Sequence, residues 1–327
     1  TTIHHYTREA GVRSLEREIA SLCRKVARKE QLASRSSDDD CARFREEVRI
    51  TAALKHPGVV PLYDWGLFDD GRVWFTMKRV DGETIARRIK ALHQLSGEEL
   101  TLGLRRLLDD FRRLCEPVAY AHAQRIIHRD LTPQNLMVGE LGEVHVMDWG
   151  LARDLGRAAR AGRPSSPDLG ADDDITASEM LTRIAGTPRY MPPEQARGDL
   201  AAMGPESDVY ALGAVLYEIL SGVPPYYTAA TAHEPGQLIL ARVSLGPPRP
   251  IAELARREVP RELHALCERA MARAPRDRYP DAGALMNAVR DWLDGANRRE
   301  RALRIVREAN RDHRDKIGSM RVEIEQR

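Results

Sequence analysis

The sequence predicts an α+β fold in which a short region containing strands is followed by a longer, mostly helical region. Residues 59–65 and 73–77 flank the turn sequence Asp69-Asp70-Gly71 and are typical of a β-hairpin. A helix should precede this hairpin, because Phe44, Val48 and Leu54 fall on one helical face. After Gly82 the apolar spacing predicts helices at residues 100–124, 207–220, 261–273 and 282–293.

Composition narrows the class of protein. The chain has 327 residues, of which 42% are hydrophobic, so it can bury a sizeable core. Its 51 Lys and Arg residues nearly balance 49 Asp and Glu residues, which argues against nucleic acid as a partner. The four cysteines are far apart and form no C-x-x-C pair, so we expect a reducing, cytoplasmic environment. The most apolar stretch, residues 209–220, is shorter than the ~20 residues of a membrane span, so we predict a soluble protein.

The first 34 residues form a segment with its own pattern. Apolar residues spaced three and four apart predict one amphipathic helix; they are Val12, Leu15, Ile19, Leu22 and Val26. Residues 5–19 resemble the helical lid that follows the ATPase core of Lon proteases. No G-x-x-x-x-G-K-[ST] loop occurs in the chain, so a Lon-type ATPase is not expected. The polar run after residue 34 predicts a linker at residues 35–40.

Two motifs carry the chemistry. The first is His128-Arg129-Asp130-Leu131-Thr132-Pro133-Gln134-Asn135, and the second, Asp148-Trp149-Gly150, begins 13 residues later, beyond a predicted strand at residues 144–147. They match the H-R-D-L-x-x-x-N and D-F-G motifs of protein kinases, with Trp149 in place of Phe. The chain thus resembles the eukaryotic-like serine/threonine protein kinases of bacteria. This resemblance implies a two-lobed fold with a partial small lobe (residues 41–81), a mostly helical large lobe (82–295) and a helical tail (296–327).

The resemblance assigns roles to these residues. Asp130 would accept the proton of the substrate hydroxyl, while Asn135 and Asp148 would hold the Mg²⁺ ions that accompany ATP. Thr132 stands where these kinases usually have a lysine that touches the transferred phosphate, so one stabilising cation is missing. In the small lobe, Glu47 aligns with the glutamate that pairs with the phosphate-binding lysine.

Adenine should lie between the lobes. Met77-Lys78-Arg79-Val80 resembles the hinge, whose backbone at Lys78 and Val80 would hydrogen-bond the base, with Met137 beneath the ring. The match fails before Glu47, where no G-x-G-x-x-G occurs. Lys25 and Lys29 lie at about the right distance from Glu47, but the helical periodicity of this segment argues against a strand. We therefore expect a truncated small lobe without the phosphate-binding lysine, and impaired phosphoryl transfer.

Further motifs complete the large lobe. Residues 186–194 resemble the end of a kinase activation segment, in which Thr187 would face the substrate residue and Glu194 would pair with Arg278. Asp208 matches an aspartate that braces the catalytic loop, and we expect it to be buried and paired.

The middle of the activation segment, residues 158–177, is rich in Gly, Pro, Ser and Asp and should be mobile. Arg129 could pair with a phosphate placed there or nearby, unless the segment is an unmodified insertion. The candidate acceptors are Thr176, Ser178 and Thr182.

The tail carries a heptad-like series, which favours either a dimeric coiled coil or a solvated single helix. Its members are Leu303, Val306, Asn310, His313, Ile317, Met320 and Ile324.

The resemblance implies transfer of the ATP γ-phosphate to serine and threonine hydroxyls of a protein substrate. Two alternatives remain. One is a pseudokinase that acts as a scaffold, and the other is a decayed or artificially joined reading frame, because the start and the kinase-like part meet abruptly.

Overall fold

A computed structural model gives the fold and describes residues 26–30, 38–160, 188–228, 231, 234–255 and 258–325. The strands of these ranges are β1 (Val26–Glu30), β2 (Leu62–Leu67), β3 (Val73–Lys78), β4 (Gly82–Thr84), β5 (Ile126–Ile127), β6 (Leu136–Gly139), β7 (Val144–Val146) and β8 (Arg153–Asp154). The α-helices are α1 (Asp38–Ala53), α2 (Ile85–Leu92), α3 (Gly97–Ala123), α4 (Leu155–Arg160), α5 (Pro193–Ala196), α6 (Pro205–Ser221), α7 (Gly236–Leu245), α8 (Ile251–Leu254), α9 (Arg261–Ala270) and α10 (Ala282–Glu325).

The small lobe is a three-stranded antiparallel sheet in the order β1-β3-β2, with α1 packed against it. The predicted hairpin is confirmed as β2 and β3. Phe44 of α1 meets Phe75 of β3 with ring centroids 5.2 Å apart, and Val48 and Ile50 are buried. Apolar contacts therefore fix α1 on the sheet.

Two small sheets, β4-β6-β7 and β5-β8, flank both motifs. The first motif lies between β5 and β6, and the second lies between β7 and β8. A hydrogen bond from the N–H of Met147 to the carbonyl of Asn135, 2.8 Å long, ties the two segments together. Motifs separated in sequence are thus held side by side.

The large lobe surrounds α6, whose residues are buried along most of its length. Helices α3, α9 and α10 pack around it, and their apolar residues join its core. The helix ends at Gly222, whose φ of 83° is costly for any residue with a Cβ. Helices lie at all four predicted positions. The α+β, two-lobed fold class is confirmed.

The beginning of the chain differs from the sequence interpretation. The helix predicted for residues 12–26 lies outside the described residues, apart from Val26, which begins β1. The predicted linker overlaps α1, which begins at Asp38. Acidic residues are favourable in the first turn of a helix, so Asp38, Asp39 and Asp40 begin a helix rather than continue a linker. The other predicted domain boundaries stay predictions.

The tail continues the last helix of the large lobe, because α10 runs without a break to Glu325. Ile305 and Val306 on this extension are 63% and 54% exposed. The side chains that follow residue 306 lie outside the description, so the choice between a coiled coil and a solvated helix stays open. No described helix combines the length and the apolar character needed to cross a bilayer.

Candidate active site

Asp208 holds the first motif, the catalytic loop at residues 128–135, in place. One carboxylate oxygen of Asp208 accepts hydrogen bonds from the N–H of His128 (2.7 Å) and from Nε2 of His122 (2.9 Å). The other accepts one from the N–H of Arg129 (2.9 Å), whose φ of 67° is unusual for a residue with a side chain. Asp208 is 1% exposed, which confirms the prediction that it is buried and paired.

The pKa of the Asp208 carboxyl follows from these contacts. Burial alone would raise the pKa of the Asp208 carboxyl, but the hydrogen bond and charge of His122 and the donors of the loop hold that pKa below its ordinary value. Asp208 therefore stays charged and stabilises the strained loop backbone.

Asp130 and Asn135 face each other across the loop. The side-chain amide of Asn135 donates to the backbone oxygen of Asp130 (2.9 Å) and to its Oδ2 (3.1 Å). Burial and the nearby charge of Asp148 raise the pKa of Asp130 to about 7, although Asn135 and Lys29 oppose the shift. Asp130 therefore titrates near neutrality in this arrangement, as suits a group that accepts a proton.

Asp148 follows β7 and has a positive φ of 56°. The neighbouring Trp149 is 3% exposed, and its indole N–H donates to the carbonyl of Val146 at 3.3 Å. The Trp149 ring lies 4.5 Å from the ring of His128, centroid to centroid. Tryptophan thus fills the position where phenylalanine is usual, and it adds a hydrogen bond.

A lysine does stand opposite Glu47, so our expectation that it is missing is wrong. Lys29 lies on β1, where it is paired in register with Phe75 of β3. Its ammonium is 2.6 Å from Oε1 of Glu47 and 2.8 Å from Oδ1 of Asp148. Strand pairing with β3 overrides the helical periodicity of the preceding residues.

The contacts of Lys29 with Glu47 and Asp148 favour the charged form of the lysine. Burial alone would lower the pKa of Lys29, but the charges of Glu47 and Asp148 outweigh it and raise that pKa. Glu47 is 6% exposed, so it is not a surface glutamate. Lys29 therefore links the small lobe to the Asp148 motif of the large lobe.

The predicted hinge lies where β3 leaves the small lobe. Met77 and Lys78 end β3, and Val80 follows two residues later. Among the residues that the structure describes, the N–H of Val80 has no hydrogen-bond partner, so it can donate to a ligand. Met137 is half-buried on β6.

Thr132, the departure from the kinase pattern, is 3% exposed and lines a small cavity beneath the catalytic loop. Gln195 also lines this cavity, and its amide donates to the carbonyl of Arg129 at 3.0 Å. Sequence reasoning missed this contact. It did consider Lys29, because Val26-Ala27-Arg28-Lys29 resembles the V-A-I-K strand of kinases, but it rejected that lysine on the helical periodicity of the segment.

Below the site, Glu194 and Arg278 form the predicted pair. The guanidinium donates to both carboxylate oxygens at 2.7 and 2.8 Å, and both side chains are at most 1% exposed. The predicted phosphorylation sites Thr176, Ser178 and Thr182, and the substrate-facing Thr187, lie outside the described residues.

The donor set fits magnesium and a nucleotide. Asn135 uses its amide hydrogens on Asp130, which leaves its side-chain oxygen free to act as a ligand. The Asp148 side chain is half exposed toward the cleft. Amide and carboxylate oxygens are the ligands that Mg²⁺ prefers, and the cation of Lys29 beside them suits a phosphate.

Comparison with known proteins agrees with this geometry. The family model described as the protein kinase domain matches residues 17–289. The chain belongs to the protein kinase domain family. The match includes β1, so Lys29 lies inside the domain. The resemblance of residues 5–19 to the Lon lid stays a prediction.

Curated relatives point to one group within this family. The chain is 34% identical over 280 residues to serine/threonine-protein kinase PknD of Chlamydia caviae, covering 84% of this chain and 29% of the relative. It is 32% identical over 265 residues to PknD of Protochlamydia amoebophila, covering 77% and 26%. The identity to PknD of Chlamydia trachomatis is 33% over 264 residues, covering 77% and 27%. The chain thus spans less than a third of the length of these relatives, and the resemblance to bacterial eukaryotic-like serine/threonine kinases is confirmed.

Proposed function

We propose that this chain is a serine/threonine protein kinase that uses ATP and Mg²⁺ to phosphorylate hydroxyls of a protein substrate. The observation that carries the proposal is the contact of Lys29 with both Glu47 and Asp148, directly beside Asp130 and Asn135. This arrangement brings a cation, a base and two oxygen ligands together at the lobe junction. Phosphoryl transfer needs these groups to be positioned, because the protein itself contributes little covalent chemistry.

Each side chain has a task in this proposal. Asp130 accepts the proton of the attacking hydroxyl, and the side-chain amide of Asn135 holds its carboxylate in position at 3.1 Å. Lys29 presents its ammonium to the phosphates, and Glu47 fixes the direction of that ammonium. Magnesium ions bound by Asn135 and Asp148 would neutralise the phosphate charge.

The hinge binds the adenine base of ATP in this proposal. The N–H of Val80 donates to the adenine ring, the backbone of Lys78 pairs with the edge of the base beside Met77, and Met137 packs beneath the ring. A cytoplasmic location, which the separated cysteines favour, is part of the same proposal.

A scaffold function is the second candidate, and two features of the sequence favour it. No G-x-G-x-x-G precedes Lys29, and Thr132 supplies no cation where kinases of this group usually have a lysine. Both losses would weaken charge stabilisation during transfer, by up to ~10³-fold for one electrostatic donor. In this case the large lobe would serve to bind partners.

Transfer of labelled γ-phosphate from ATP to casein distinguishes the two candidates. We expect magnesium-dependent phosphoserine or phosphothreonine with the wild-type chain, and at least a ~10²-fold lower rate with Asp130→Asn. A folded wild-type chain whose rate equals that of Asp130→Asn would favour the scaffold.

A further inference from the structure

A network of four charged side chains connects α1 to the segment that follows the Asp148 motif. Arg49 Nη2 lies 2.6 Å from Oε1 of Glu46 and 3.0 Å from Oδ2 of Asp154. Arg157 Nη1 lies 3.3 Å from Oε2 of Glu46. We propose that Arg49 is a positioning residue that holds α1 in the orientation in which Glu47 reaches Lys29.

Asp154 is anchored firmly to the large lobe. It pairs with Ile126 of β5, the strand that leads directly into the catalytic loop. Its Oδ1 accepts a hydrogen bond from the N–H of Arg157 (2.9 Å). The N–H of Leu155 donates to the carbonyl of Arg125 at 2.8 Å. Arg49, on the small lobe, therefore contacts a residue that is held rigidly in the large lobe.

The positions of the residues on α1 explain how the contact between Arg49 and Asp154 controls the direction of Glu47. Residues two apart on an α-helix point about 200° apart, so Glu47 and Arg49 project from nearly opposite sides of α1. Glu47 reaches toward β1 while Arg49 reaches toward β8. Contacts on opposite sides of a helix resist its rotation about its own axis. Losing the Arg49 contact therefore lets α1 turn Glu47 away more often, while the apolar contacts of α1 with the sheet remain.

The network is partly exposed, which sets the size of the effect. The side chains of Arg49 and Asp154 are 40% and 20% exposed, so their attraction is screened by water and salt. Exposed pairs of this kind shift an equilibrium modestly, and only two of the three pairs join α1 to the large lobe, Arg49–Asp154 and Arg157–Glu46. We expect Arg49→Ala to lower kcat about threefold to tenfold, with little change in KM for ATP, because the hinge still binds adenine when α1 turns.

Three variants test the proposal, which rests on the proposed kinase function. Arg49→Lys keeps the charge and should recover most of the rate. Asp154→Asn keeps the acceptor for the N–H of Arg157 but removes the large-lobe charge that Arg49 contacts, so it should match Arg49→Ala. The double variant, Arg49→Ala with Asp154→Asn, should be no slower than the slower single variant, because both changes break the same contact between the lobes. Arg45→Ala is the matched control, since Arg45 is exposed on the same helix.

Hydrogen–deuterium exchange of α1 supplies a readout that does not need catalysis. We expect faster exchange of α1 in Arg49→Ala and Asp154→Asn, but not in Arg45→Ala, together with the loss of kcat. Because salt screens exposed pairs, 0.5 M NaCl should reduce the differences in exchange rate and in kcat between these two variants and the wild type. Unchanged α1 exchange and kcat in both variants would overturn the proposal. If the wild type transfers no phosphate while the exchange pattern appears, the kinase function fails and the restraint on α1 stands.

Discussion

The buried pair of Glu194 and Arg278 is expected to stabilise the large lobe, and Glu194→Gln perturbs it with little change in shape. Arg278 donates to both Glu194 oxygens and to three backbone carbonyls, those of Ala272, Arg273 and Glu206. The variant leaves the guanidinium charge buried without its counter-ion. Breaking such a pair costs ~3–5 kcal/mol. Because the carbonyl contacts remain, we expect about 3 kcal/mol.

The pH dependence gives this prediction a second, independent test. Burial alone would raise the pKa of Glu194, but its hydrogen bonds and charge interaction with Arg278 hold it below its ordinary value. A carboxyl with a lowered folded pKa contributes stability that is complete above its unfolded pKa of ~4.3 and is lost as pH falls through the folded value. The stability gap between wild type and Glu194→Gln should therefore be widest near pH 7 and shrink below about pH 4.

Urea denaturation followed by circular dichroism measures both effects. Glu262→Gln is the control, since Glu262 is exposed on α9 and should change stability by less than about 0.5 kcal/mol. A gap for Glu194→Gln as small as that of the control, or one that does not vary with pH, would refute the reasoning.

Three further predictions concern the site and its support. Asp148→Ala should weaken magnesium-dependent ATP binding at least about tenfold in titration calorimetry, because it removes a metal ligand and a partner of Lys29; equal affinity would exclude Asp148 from the site. Asp208→Asn should lower stability by roughly 2–4 kcal/mol in urea denaturation, since one loop N–H or His122 then loses its acceptor, and an unchanged midpoint would contradict this. Gly222→Ala should cost about 1 kcal/mol or more, because a Cβ at φ 83° is strained and would lie 2.8 Å from His93 Nδ1; a stabilised variant would be the contrary result.

The large lobe was predictable from the sequence because its signals are local. The spacing from Asp130 through Asn135 to Asp148 fixes a loop and a strand, and the apolar periodicity of α6 requires a buried helix. The burial of Asp208 and the pairing of Glu194 with Arg278 join distant residues, and they were implied by the resemblance to kinases. The helices and the loop needed only neighbouring residues and a known pattern.

The small lobe was harder because its decisive contacts join distant residues. Lys29 contacts Asp148 across 119 positions, and β1 exists through pairing with β3 rather than through its own pattern. The run before it has helical periodicity, which led to the wrong conclusion that no lysine faces Glu47. Arg49 and Asp154, separated by 105 positions, gave no sequence signal for the same reason.

The central claim is that Lys29 completes a working phosphoryl-transfer site. Its most direct test is the rate of γ-phosphate transfer from ATP to casein by the wild-type chain, Lys29→Met and Lys25→Met, since both lysines lie at suitable distances from Glu47 in sequence. We predict that Lys29→Met loses up to ~10³-fold in rate while Lys25→Met stays near the wild type. A Lys29→Met variant as fast as the wild type, or a loss confined to Lys25→Met, would contradict the claim.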